Sequence, residues 1–62
     1  RVHCVIQYVR TSQNEAYYYV TDHSRYGTIM NDSIRLRKEV RTRCPIGTKL
    51  TLGNGTNSVT LN

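Results

Sequence analysis

Few side chains in this sequence could carry out bond chemistry. The carboxylates are Glu15, Asp22, Asp32 and Glu39, the imidazoles His3 and His23, the thiols Cys4 and Cys44. Acid–base hydrolysis needs two carboxylates converging on one bond, yet three of these four fall in turn-like stretches and Glu39 sits among arginines, where it balances charge. Asp22, His23 and Ser24 are consecutive, but a nucleophilic triad requires its members to converge in space, which adjacency along a strand or loop does not achieve. His3 beside Cys4 lacks the further ligands a zinc site needs, so no metal is expected, and His3 reads as a solvated strand residue. A chain this small also rarely encloses a pocket of about 300 Å³. No catalysis and no cofactor are expected.

Two groups of residues suit binding instead. Arg35, Arg37, Arg41 and Arg43 recur at every second position apart from Glu39. In an extended strand they share one face, able to dock phosphates or an acidic protein patch; a solvated face guarded against edge pairing is the bland alternative. Tyr17, Tyr18 and Tyr19 are consecutive, so Tyr17 and Tyr19 lie opposite Tyr18 and Val20. One side is expected to supply core aromatics, the other amphipathic contact area. A partner is expected to add a strand along this tyrosine-rich edge, with Tyr18 supplying specificity.

The elements that place these groups follow from a period-two pattern; no helical periodicity occurs. Residues 2–10 read as a strand with Val2, Cys4, Ile6 and Tyr8 inward. Residues 16–21 form a second strand, and 26–30 a third. Asn31-Asp32 signals a turn. A fourth strand starts at Ile34, with Ile34, Leu36 and Val40 on one face and the arginines on the other. Cys44-Pro45-Ile46-Gly47 reads as a break, since proline cannot donate to a central ladder. Leu50 and Leu52 mark a fifth strand, Gly53-Asn54-Gly55 a tight turn, Val59 and Leu61 a sixth. Six short strands predict a small all-β sandwich or barrel over residues 1–62, with no linker or repeat.

With 62 residues, such a domain buries only about 60% of its unfolded surface and calls for a staple. Joining Cys4 to Cys44 would close a loop of roughly 40 residues, worth about 4 kcal/mol; two free thiols are the alternative. A disulfide implies an oxidising compartment. The start at Arg1 fits a mature exported product with its leader removed, or a trimmed chain. Asn31-Asp32-Ser33 and Asn54-Gly55-Thr56 are glycosylation triplets that serve equally as turn formers. The net charge of +5 favours acidic partners. No apolar run is long enough for a signal peptide or a membrane-spanning helix, and no membrane partner is expected.

This layout, with His3-Cys4-Val5-Ile6-Gln7-Tyr8 at the start and Lys49-Leu50-Thr51-Leu52-Gly53-Asn54-Gly55 after the second cysteine, resembles the MAX effectors, small secreted avirulence and ToxB-like proteins of plant-pathogenic fungi. The resemblance implies two three-stranded antiparallel sheets, strands one, two and six against three, four and five, with the Cys4–Cys44 disulfide. It further implies an effector, secreted and translocated into host cells, that binds a host plant protein such as a heavy-metal-associated domain. Only Cys4 and Cys44 carry over from that family, while Tyr17, Tyr18, Tyr19, Arg35, Arg37 and Arg41 are the partner-binding residues expected from the strand pattern itself, in a monomeric protein. The competing expectation is a small basic barrel that binds nucleic acid through its arginine and tyrosine surface.

Overall fold

A computed structural model describes residues 3–53, 55 and 57–62. Val2 and the Asn54-Gly55-Thr56 triplet, through Asn54 and Thr56, lie outside the described residues. The chain is all-β, with seven strands: β1 (Cys4–Arg10), β2 (Ala16–Asp22), β3 (Thr28–Met30), β4 (Ile34–Arg35), β5 (Thr42–Pro45), β6 (Lys49–Leu52) and β7 (Asn57–Thr60). They form two antiparallel sheets, one ordered β1-β2-β5 and the other β4-β3-β6-β7.

Turn chemistry sets these boundaries. Asn14 adopts φ 66° between β1 and β2, where the Thr11 amide donates to the Glu15 carbonyl at 2.8 Å. Asn31 and Asp32 adopt φ 52° and 65° between β3 and β4, a conformation that asparagine and aspartate tolerate better than most residues. The Asn31 side-chain carbonyl accepts from the Lys49 amide, binding this turn to β6. The exposed Lys49–Asp32 ion pair at 3.0 Å adds little, about 0–1 kcal/mol.

The expected sandwich holds in outline and needs correction in three places. First, there are seven strands, not six. The long fourth strand ends after Arg35; Lys38 makes a lone parallel bridge to Asp22, and Glu39 turns the chain at φ 62°. Residues 42–45, read as a break, are β5. Pro45 is tolerated because β5 lies at a sheet edge and ends there.

Second, the third strand beside β1 and β2 is β5, and β7 belongs to the other sheet, unlike the three-plus-three arrangement. Strand β2 is therefore central, paired on both sides, and offers no edge to a partner.

Third, the Cys4–Cys44 bridge is absent; both thiols are free. Cys4 lies opposite Asp22 and Cys44 opposite Tyr18. Two strand spacings and a four-residue offset separate their Cα atoms by about 16 Å, against the ≲7 Å a disulfide spans. Cys44 instead packs in the core, its Sγ 3.7 Å from Met30 Sδ. Burial pushes both thiols above their ordinary value, helped at Cys4 by the Asp22 charge. Reductant is therefore expected to leave the melting temperature unchanged, and the unfolded chain should take two alkyl groups without prior reduction. A mass 2 Da lower with no alkylation would contradict this.

The core is small: Val20, Leu36, Cys44, Leu50 and Leu61, with Cys4, Tyr18, Met30 and Leu52 packed against it. Of the three aliphatics expected on one fourth-strand face, only Leu36 is buried; Ile34 is 52% and Val40 44% exposed, because the chain leaves the sheet between them. Tyr18 points inward, edge-on to Tyr8, and its hydroxyl donates to the Asn62 carbonyl at 2.5 Å.

Candidate functional site

The segment from Asp22 to Thr28 crosses from one sheet to the other and is held by side chains that ordinarily prefer water. Asp22 is 2% exposed. Its Oδ1 accepts from the Ser24 amide at 3.0 Å, the Ser24 hydroxyl at 2.6 Å and the Thr28 hydroxyl at 3.0 Å. The Ser24 hydroxyl in turn accepts from the Gly27 amide at 2.8 Å. Asp and Ser satisfying the backbone two and three residues ahead is the local chemistry that makes this sequence turn instead of continuing β2.

His3 completes the lock. Its Nε2 lies 3.1 Å from Thr28 Oγ1. The single hydroxyl proton of Thr28 is committed to Asp22, so the imidazole donates through its Nε2–H. The His3 carbonyl also accepts from the His23 amide at 2.9 Å. The outward, solvated His3 expected from strand alternation is thus corrected: the residue precedes β1 and is bound to the other sheet. Burial alone would raise the Asp22 pKa, but the Ser24 hydroxyl and amide, the Thr28 hydroxyl and the His3 charge together bring it below the ordinary carboxylate value.

From the opposite side the loop is braced by Arg35. Its guanidinium donates to the Tyr26 carbonyl at 3.3 Å and lies over Gly27, where an added Cβ would come within 2.8 Å of Nη2. Gly27 has φ 95°, which costs any other residue about 1–3 kcal/mol, and its carbonyl accepts from the Gly53 amide. Gly27→Ala is expected to lower stability by about 2 kcal/mol, with the Arg35 brace displaced. A melting temperature within 2 °C of the parent would contradict this.

What this frame presents is Arg25 and Tyr26, both exposed, the tyrosine at 66%. With His3, Ser24 and Gly53 they line a cleft of about 230 Å³, smaller than the usual site for a drug-sized ligand. Its floor is tied down by the Asp22 hydrogen bonds, Arg25 is part of its lining, and the Asp22 carboxylate is committed to those bonds. Such a cleft suits a compact anion attached to a larger partner.

A family model for the FHA domain matches residues 1–53. The chain belongs to the FHA domain family. FHA domains are phosphopeptide-binding β-sandwiches, and the match spans β1 to β6 together with the whole 22–28 loop. No curated protein and no solved structure gives a significant match.

Membership of the FHA family overturns the MAX-effector resemblance and with it the reading as a secreted fungal effector aimed at a host plant protein or heavy-metal-associated domain. The competing nucleic-acid reading gains no support either. The coarser expectation of an all-β module that binds proteins agrees with the FHA assignment.

The sequence-predicted site residues are dispersed in this FHA fold. Tyr17 and Tyr19 face outward on the β1-β2-β5 sheet and carry Arg43 and Arg41; Tyr18 is packed against the core. Arg35 braces the loop, and Arg37 is exposed beyond β4. The arginine stripe is thus split between two sheets, since Glu39 and the chain crossing interrupt its alternation. Arg25, Tyr26 and the His3–Thr28–Asp22–Ser24 lock were missed as a group. The available signal was the density of turn-forming polar residues in Asp22-His23-Ser24-Arg25-Tyr26-Gly27-Thr28.

Proposed function

We propose that this chain reads phosphothreonine on partner proteins, with the phosphate held at the 22–28 loop, and that it has no catalytic role. Arg25, presented by a loop pinned through Asp22, Ser24, Gly27 and Thr28 by hydrogen bonds, carries this reading. Recognition of phosphorylated motifs through arginine is the mode this family uses, and a planar fork of donors matches a phosphate's oxygens. Preorganisation matters because the loop loses little further freedom on binding. Tyr26 stands beside the phosphate position and offers an amphipathic ring to a neighbouring peptide residue.

Anisotropy titration with phosphothreonine peptides and their unphosphorylated counterparts tests this directly. The phosphorylated set is expected to bind roughly 10- to 100-fold tighter, the effect of one or two charge-assisted hydrogen bonds. Equal affinity for the two sets would sink the reading.

A further inference from the structure

The outer face of the β1-β2-β5 sheet carries a second basic feature, on the opposite side of β2 from the core. The Arg41 Cζ stands 4.2 Å from the centroid of the Tyr19 ring, and the Arg43 Cζ 4.0 Å from that of Tyr17. The two rings meet edge to face, centroids 5.3 Å apart at 86°. Register explains the ladder: Arg43 pairs with Tyr19 and Pro45 with Tyr17, so each arginine reaches diagonally across to the next tyrosine, within the span of long side chains.

Stacking engages the flat face of a guanidinium and leaves its edge, with the N–H donors, turned away from the ring. Among the described residues, neither Arg41 nor Arg43 has a hydrogen bond or ion pair to occupy that edge; the sole ion pair, Lys49–Asp32, is on the other sheet. Across the same face β1 contributes Val5, Gln7 and Val9, which pair with Thr21, Tyr19 and Tyr17. No carboxylate lies among these positions. Two preorganised, uncompensated forks two residues apart in sequence match an extended chain, whose alternate side chains repeat about every 6.8 Å on one side. The rings and valines beside them suit the apolar parts of such a chain.

We infer that this face docks an extended acidic segment of a partner protein, with carboxylates at alternate positions taken by Arg41 and Arg43. The surface lies about 10–17 Å along β2 from Asp22 and shares no residue with the 22–28 loop, so it acts independently of phosphate reading, and either can fail without the other. The tyrosines hold the forks in place; the charge they meet comes from the partner.

The test is anisotropy at low salt with a labelled Glu-Thr-Glu-Thr-Glu peptide, free of phosphate, against its Gln-Thr-Gln-Thr-Gln counterpart. The glutamate peptide is expected to bind about 10-fold tighter or more, from a single bidentate contact upward. Arg41→Gln/Arg43→Gln should erase that difference and leave binding of phosphothreonine peptides unchanged. Should the glutamine pair unfold the domain, Arg41→Lys/Arg43→Lys keeps the charge without the fork and should still weaken the glutamate peptide several-fold. Full affinity in a folded glutamine pair or in the lysine pair would overturn the inference. So would loss of the acidic peptide on Arg25→Gln, or tighter binding of a single-stranded oligonucleotide to the same residues.

Discussion

Asp22→Ala is expected to remove a large share of the domain's folding free energy. One buried oxygen accepts three hydrogen bonds there, and removing it strands the Ser24 amide and the Ser24 and Thr28 hydroxyls without their partner. Each buried donor left unsatisfied costs about 1–3 kcal/mol, so the loss should reach about 3–5 kcal/mol. A domain of this length has on the order of 3–9 kcal/mol in total. Asp22→Asn keeps an acceptor in place and should cost less, about 1–2 kcal/mol. The two variants also separate the charge from the hydrogen bonds. The native-state pKa of Asp22 lies below its unfolded value, so its ionised form stabilises the fold fully above about pH 3.9. That contribution is lost as pH falls through the lower native value. Asp22→Asn should accordingly flatten the acid limb of the stability curve below about pH 4 and change its shape little above. Denaturant midpoints for the three proteins at pH 3 and pH 7 check both points; an alanine variant as stable as the parent would refute the lock.

Arg25→Gln should do the reverse, abolishing most phosphopeptide affinity while leaving the melting temperature within about 2 °C. Arg25 is exposed, and its side chain has no partner among the described hydrogen bonds and ion pairs, so little folding energy depends on it. Binding depends on it strongly, because a phosphate facing neutral glutamine loses a charge-assisted fork, roughly 1.5–3 kcal/mol or about 10- to 150-fold. Arg25→Lys restores charge but not the fork and should recover only part. Unchanged phosphopeptide binding by Arg25→Gln would move the phosphate away from this loop. Measured beside the Arg41/Arg43 variants, it also assigns each basic surface its own ligand.

The strands were readable where one short-range rule dominated. Alternation placed β1 and β2 within two residues of their observed ends, and the Asn31-Asp32 turn falls where two residues tolerant of positive φ adjoin. Reading failed at residues 34–45, where apparent alternation continues through a sheet change. Arginine at every second position signals one face only if the backbone stays extended, and Glu39 at φ 62° ends that condition. The disulfide expectation failed for a related reason. Loop-closure entropy states what a bridge would contribute but contains nothing about whether two strands bring the sulfurs together.

By itself the sequence determined that this chain is all-β, short of core, basic, and punctuated by turns at residues 11–15, 22–25 and 31–32. These follow from local backbone preference and side-chain period, which act over a few neighbours. Only tertiary structure decided that His3 meets Thr28 across 25 positions, that Asp22 is buried among donors, that Arg25 is left facing water, and that Arg41 and Arg43 rest on Tyr19 and Tyr17. Each of those outcomes depends on which strands become neighbours and in what register. Pairing distant segments is a property of the whole chain's packing, and the identity of any one stretch does not encode it.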